Sequence, residues 1–171
     1  MTTPPTPTQD LLFDDIRVLL DGADGTLTVS GEKIPTVALV RAADADVDDH
    51  IPIGTRSARQ LSLTVDGQTA RITPAPGRLL RRSYRVDVEC AGVQYRLTPN
   101  SIDGSKLLKG RRAIAELSSS GDGHVLADWP EDSNVLPQDA AVGYALAAAF
   151  GTGAQPFWMT AIEAVSAALM P

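Results

Sequence analysis

The chain has 171 residues, 43% of them hydrophobic, and a formal net charge of −6, which fits one soluble globular domain large enough to bury a sizeable core. Its single cysteine, Cys90, excludes an internal disulfide and gives no sign of an oxidising compartment. The acidic total lowers the case for nucleic acid as a partner.

The first nine residues, "MTTPPTPTQ", lack the basic start and apolar run of a secretory signal and read as a disordered leader, which leaves the cytoplasm as the default compartment. Residues 10–171 are then expected to form one β-rich domain. The stretch "DIRVLLDGADGTLTVSGEKIPTVALVRA" offers two or three strands, with turns at Asp21-Gly22, Asp24-Gly25 and Gly31. The acidic segment "DADVDDHIPIG" follows as a loop. It places Asp44, Asp46 and Asp48 at alternate positions like a calcium loop, yet Asp49 stands where that loop needs Gly and Thr55 where it needs Glu, so a solvated acidic loop is expected.

The middle of the chain alternates with a period of two, the mark of half-buried strands. In "RQLSLTVDGQTARIT", a turn at Asp66-Gly67 sets Leu61 opposite Ile72, Leu63 opposite Ala70, Val65 opposite Gln68 and Arg71 opposite Ser62. In "YRVDVECAGVQYRL", a turn at Ala91-Gly92 sets Cys90 opposite Val93, Val88 opposite Tyr95 and Val86 opposite Leu97, with Asp87 opposite Arg96 on the polar face. Tyr84 and Tyr95 fall on the apolar face, as core residues and not as stacking platforms for nucleic acid. "RAIAELSSSGDGHVLADWP" is a third hairpin around Gly121-Asp122-Gly123. Each run stops at a proline, Pro74, Pro99 or Pro130, because proline has no amide hydrogen for the ladder. The pattern shared by "DGQTARITP" and "AGVQYRLTP" is therefore hairpin geometry and needs no ligand.

The C-terminal part changes character. "PQDAAVGYALAAAFGTG" is a helix with Asp139 near its start and Gly151 at its end, apolar all round from Ala140 to Phe150 and so surrounded by protein. "FWMTAIEAVSAALM", residues 157–170, is an amphipathic helix with a stripe of Trp158, Ile162, Val165 and Leu169. Both are shorter than the roughly 20 residues a bilayer crossing requires, so no membrane span is expected. The fold class expected is α+β: an antiparallel hairpin meander of eight to ten strands forming a barrel or strongly bent sheet, with one buried apolar helix and one amphipathic helix at the C-terminus.

Charge is segregated. Residues 78–112 hold nine basic residues against three acidic ones, a surplus of six, so the rest of the chain carries −12 against a total of −6. Arg78, Arg81 and Arg82 follow one hairpin, and Lys106, Lys109, Arg111 and Arg112 follow the next. Two such connections at one end of a sheet would make an anion-binding ridge for a lipid head group, a phosphate or an acidic protein surface. No catalytic or metal constellation accompanies it: His50 and His124 are far apart, the serines at 118–120 lie in no nucleophile elbow, and "GTG" and "GSKLLKGRR" lack the rest of any nucleotide loop. No cofactor is expected.

The strand pattern from Leu61 to Trp129 followed by "DAAVGYALAAAF" resembles the tubby-like and LURP-one-related barrels, in which a sheet closes around a buried helix. That resemblance covers about two thirds of the chain and implies a phosphoinositide or membrane-surface role, with no site residue to carry over. The order of elements is also similar to a pleckstrin-homology sandwich with its C-terminal helix. The function expected is a non-enzymatic binding or adaptor domain engaging an anionic partner. The alternative is a structural or assembly protein, a homo-oligomer or docking subunit using Trp158, Ile162, Val165 and Leu169. An enzyme would need His124 in a pocket with Asp122 or Asp128.

Overall fold

The computed structural model describes residues 6–77, 84–100 and 104–151. They form an eleven-stranded antiparallel meander in which every strand pairs with its neighbours in sequence, wrapped into a nearly closed barrel around one helix. The strands are β1 Thr8–Asp10, β2 Asp14–Asp21, β3 Thr26–Gly31, β4 Ile34–Arg41, β5 Leu61–Val65, β6 Gln68–Pro74, β7 Val86–Cys90, β8 Val93–Pro99, β9 Gly104–Lys109, β10 Arg112–Ser119 and β11 Val125–Asp128. The helix, α1, is Pro137–Phe150. The antiparallel barrel and its buried helix are those read from the sequence.

Period-two alternation decides which side chains face the barrel interior. Ile16 and Val18 of β2, Val86, Val88 and Cys90 of β7, and Tyr95 and Leu97 of β8 are buried, while Arg17, Glu89 and Arg96 face out. The β7–β8 register is the expected one throughout, Val86 to Leu97, Asp87 to Arg96, Val88 to Tyr95 and Cys90 to Val93. Its turn requires positive φ at both central residues, which Ala91 (49°) and Gly92 (79°) adopt.

Four expectations are corrected. The Asp66-Gly67 hairpin holds only from Val65–Gln68 to Leu63–Ala70; Leu61 pairs instead with Arg41, and Arg71 and Ile72 pair with Glu89 and Val88. β6 is divided along its length, Gln68 to Ala70 pairing with β5 and Arg71 to Pro74 with β7, whereas β3 holds both neighbours along the same residues. The strand count is eleven, because Thr8 and Gln9, placed in the leader, pair with Ile16 and Asp15 as β1, and because "GSKLLK" is β9 and not a connection. Lys106 and Lys109 are thus strand residues. Finally, Lys109, Arg111 and Arg112 do not emerge beside the connection that contains Arg78, Arg81 and Arg82. The tight turns at 66–67, 91–92 and 110–111 share one end of the barrel, where the Gly110 amide donates to the Gln94 carbonyl at 2.8 Å. The connection between Pro74 and Val86 opens at the other end, since successive antiparallel strands reverse direction.

The helix runs from the turn end to the loop end. Pro137 starts it, and every residue from Asp139 to Phe150 is buried. Six of its fourteen residues are alanine, and Gly143 lets the backbone approach the sheet: a Cβ there would lie 2.9 Å from Leu107 Cδ2 and 3.3 Å from Leu117 Cδ1. A narrow helix is what fits inside a barrel whose walls already contribute Leu, Ile and Val. Leu27, Val29, Leu39, Leu107, Ile114 and Leu117 pack with it in one core.

Candidate interaction surface

Each end of α1 is met by charge from the barrel. At its start, the buried Asp139 accepts from Tyr95 OH at 2.6 Å, Lys109 Nζ at 3.0 Å and the Leu136 amide at 2.9 Å. The last of these is the reach-back of a capping box, and the carboxylate sits where the helix dipole is positive. Lys109 reaches it because Ser105, Leu107 and Lys109 share the inward parity of β9. Burial, with the hydrogen bond to Asp139 adding to it, pushes the Tyr95 hydroxyl well above its usual range.

At the far end two guanidinium groups are linked to the last turn of the helix, Arg41 through Ile53 and Arg56 through the Phe150 ring. Arg41, 7% exposed, donates to the carbonyls of Gly22 (3.0 Å), Ile53 (2.8 Å) and Ala23 (2.9 Å), and the Ile53 amide in turn donates to Ala149 at 2.9 Å. Gly25 and Gly54 lie against this side chain, so close that a Cβ at either would overlap it.

Arg56 is the second. Its guanidinium carbon lies 5.4 Å from both the Tyr84 and the Phe150 ring centroids, close enough for attraction to the faces of both rings. It donates from Nε to the Ala75 carbonyl (2.7 Å) and from Nη2 to those of Tyr84 (2.7 Å) and Arg85 (3.3 Å). Desolvation lowers its pKa from 12.5 to about 10, against an opposing effect of Tyr84. Since Ala75 also donates its amide to Arg85 at 2.9 Å, one half-buried side chain ties both ends of the connection between β6 and β7.

That connection contains Arg78, Arg81 and Arg82, which lie outside the described residues, as do Trp158, Ile162, Val165 and Leu169. The other expected anion ligands separate. Lys109 is held by Asp139. Arg112 donates to the Asp132 carbonyl. Lys106 faces outward on β9 opposite Glu116, and Arg111 is exposed in the turn at the opposite end. On the same outer face Arg96 clamps Asp87 through two bonds of 2.6 and 3.2 Å, with Arg85 at 3.8 Å from the same carboxylate. Much of the basic surplus on the sheet is therefore internally compensated.

His50 and His124 are both exposed. Asp122 is engaged in its own turn: the Ser120 hydroxyl, and then the His124 amide at 3.0 Å, hold its carboxyl below the usual range. A recess of about 430 Å³ on the outer face is lined by Asn100, Gly104, Glu116, Ser118, Leu126 and Asp128, among others, and contains neither His124 nor Asp122. Among the described residues no group of three His, Cys, Asp or Glu side chains could hold a metal ion, and no helix is long and apolar enough to cross a membrane.

The residues the sequence reading missed are Arg41, Arg56 and Asp10, whose buried carboxylate accepts from Trp129 Nε1 and Tyr144 OH. Arg41 left a signal, since it shares inward parity with Leu39; Arg56 lies in a loop without periodicity and left none. Fold and charge together define a helix-filled antiparallel β-barrel with charged clamps at both ends of the helix. Comparison of the chain with protein-family models, with curated proteins and with solved structures found no match.

Proposed function

We propose that this protein is a non-enzymatic binding or adaptor domain that engages an anionic partner through the connection between β6 and β7. The observation that carries this reading is the Arg56 clamp. The connection "PGRLLRRS", residues 76–83, has three arginines, two leucines and no acidic residue. Its two ends are fixed by bonds from Arg56 to Ala75, Tyr84 and Arg85. A basic segment tied at both ends pays less ordering entropy on binding than a free one. Loops held by a scaffold are where binding residues concentrate.

The filled barrel supports the same reading, because α1 occupies the interior with all its residues from Asp139 onward buried. Recognition then falls to the outside. A leucine pair flanked by arginines suits a surface where phosphate groups overlie apolar chains, and the resemblance to tubby-like barrels points the same way. The set of anion ligands narrows to Arg78, Arg81 and Arg82, because Lys109 and Arg112 are used within the fold and Arg111 belongs to the other end.

Flotation with neutral vesicles, with vesicles containing an anionic lipid, and in competition with inorganic phosphate and an acidic peptide tests the reading. Binding to anionic vesicles alone identifies a membrane surface, and release by phosphate or by the peptide identifies those sources. Equal behaviour with every probe, or no binding to any, overturns it.

A further inference from the structure

Between β4 and β5 the acidic loop is pinned by its own backbone. The Asp48 amide donates to the Gly54 carbonyl at 2.7 Å, the Gly54 amide to Ile51 at 2.8 Å, and the Ile53 amide to Ala149 of the helix at 2.9 Å. Asp48 Oδ1 accepts the His50 amide at 2.9 Å. The loop borders a recess of about 400 Å³ at the loop end of the barrel. Asp46, Asp48 and Ile51 line it from this loop, Pro74 and Pro76 line it from the exit of β6, and Arg56 completes it.

Arg56 brings a positive charge to the recess without a carboxylate of its own. Its Nε and Nη2 are taken by the carbonyls of Ala75, Tyr84 and Arg85. Among the described residues no acidic side chain lies within ion-pair distance of it. Nη1 has no partner among those residues, and Ser105 Oγ is the one side-chain atom there that is buried without a partner, so Nη1 is open to solvent. Asp46 and Asp48 are exposed and bring negative charge to the same recess. Opposite charges are thus held side by side without pairing with each other. A lone anion at Arg56 meets two carboxylates, and a lone cation at the carboxylates meets the guanidinium, so each loses by repulsion part of what it gains.

We propose that this recess binds a small zwitterion of the amino-acid class, with its carboxylate on Arg56 Nη1 and its ammonium on Asp46 or Asp48. A guanidinium N–H pair is suited to a carboxylate, and a carboxylate to an ammonium. Ile51, Pro74 and Pro76 supply apolar surface for the carbon skeleton between the two charges, and the volume falls within the range of about 300–1,000 Å³ usual for small-molecule sites. The ligand is net neutral and two of its three charged contacts lie in a different loop from the β6–β7 connection, so its binding is read independently of any anionic partner there.

Calorimetric titration of the full-length protein with L-alanine and with γ-aminobutyrate, which set the two charges closer together and further apart, tests the proposal. Acetate and methylammonium, with one charge each, are titrated beside them. At least one of the two amino acids is expected to bind saturably and more tightly than either single-charge probe. Asp46→Asn/Asp48→Asn keeps a side-chain carbonyl to accept the His50 amide and changes two exposed positions. It is expected to weaken that binding by at least about tenfold, the loss of one charge-assisted hydrogen bond, with the circular dichroism unchanged. Saturable binding of neither amino acid overturns the proposal, as does equal affinity in the double variant. Acetate binding as tightly as the amino acid overturns it in favour of a plain anion site, and methylammonium doing so overturns it in favour of a plain cation site.

Discussion

Trp129 donates its indole N–H to Asp10 Oδ2 at 2.8 Å, joining the last strand of the barrel to the first across 119 residues of sequence. The same oxygen accepts from Tyr144 OH of the helix at 2.6 Å, and Oδ1 accepts the amides of Leu12 and Phe13 at 2.8 and 3.1 Å. Phe13 meets Trp129 edge to face at 6.2 Å. One buried carboxylate thus ties the seam, the first turn and the helix together. Asp10→Ala orphans Trp129 Nε1 and Tyr144 OH, and is expected to cost about 3–5 kcal/mol. Urea denaturation followed by circular dichroism measures it, and a loss within experimental error would show that the seam is held by packing alone.

Lys109 is a structural cation. Removing it leaves the Asp139 carboxylate buried beside Tyr95 without a counter-ion; because Lys109 is 29% exposed, the expected cost of Lys109→Met is about 2 kcal/mol, below that of a fully buried pair. Anion binding should be unchanged. A variant that keeps its stability but loses binding would return Lys109 to the binding surface.

Gly143 sets the distance between helix and sheet. Alanine there gains about 1 kcal/mol of helix propensity, but its Cβ would press on the fully buried Leu107 and on Leu117, an overpacking cost of about 1–3 kcal/mol. Gly143→Ala should therefore be mildly destabilising and Gly143→Val severely so, by thermal unfolding. A stabilised Gly143→Ala would mean that the barrel wall yields freely.

Tyr95 and Tyr144 keep their protons in the folded state above the ordinary value of 10.0, chiefly through desolvation and then through hydrogen bonds to Asp139 and Asp10. In the unfolded chain both ionise near 10, so above that pH the folded state binds more protons. The stability this contributes is intact below pH 10 and is lost as pH rises toward the folded values. Absorbance of tyrosinate should show Tyr95 and Tyr144 titrating only as the circular dichroism collapses. Reversible ionisation of Tyr95 and Tyr144 near pH 10 with the fold intact would contradict their placement.

The sheet was legible because a sequence of alternating Val, Leu and Ile can face a core in only one register once a two-residue turn is placed, as Val86 to Cys90 and Val93 to Leu97 show. The end of the β5–β6 pairing was not, since β6 passes from β5 to β7 after Ala70 and no local residue encodes it. Among charges, parity separated Lys109, inward with Leu107, from Lys106, outward. Counting basic residues along the chain ignored that parity and merged both ends of the barrel into one ridge. Arg56 acts on residues 19 to 29 positions away, a relationship that exists only after β6 and β7 have paired.

The most direct measurement is the affinity of Arg81→Glu/Arg82→Glu for anionic vesicles, beside the unmodified protein and Lys109→Met at equal salt. At about 1 kcal/mol per basic residue near a charged surface, reversal of the two arginines is expected to weaken binding by at least about tenfold, with Lys109→Met, though less stable, binding as tightly as the parent. Equal affinities for the charge-reversed and unmodified proteins would contradict the claim that the connection held by Arg56 is the binding surface.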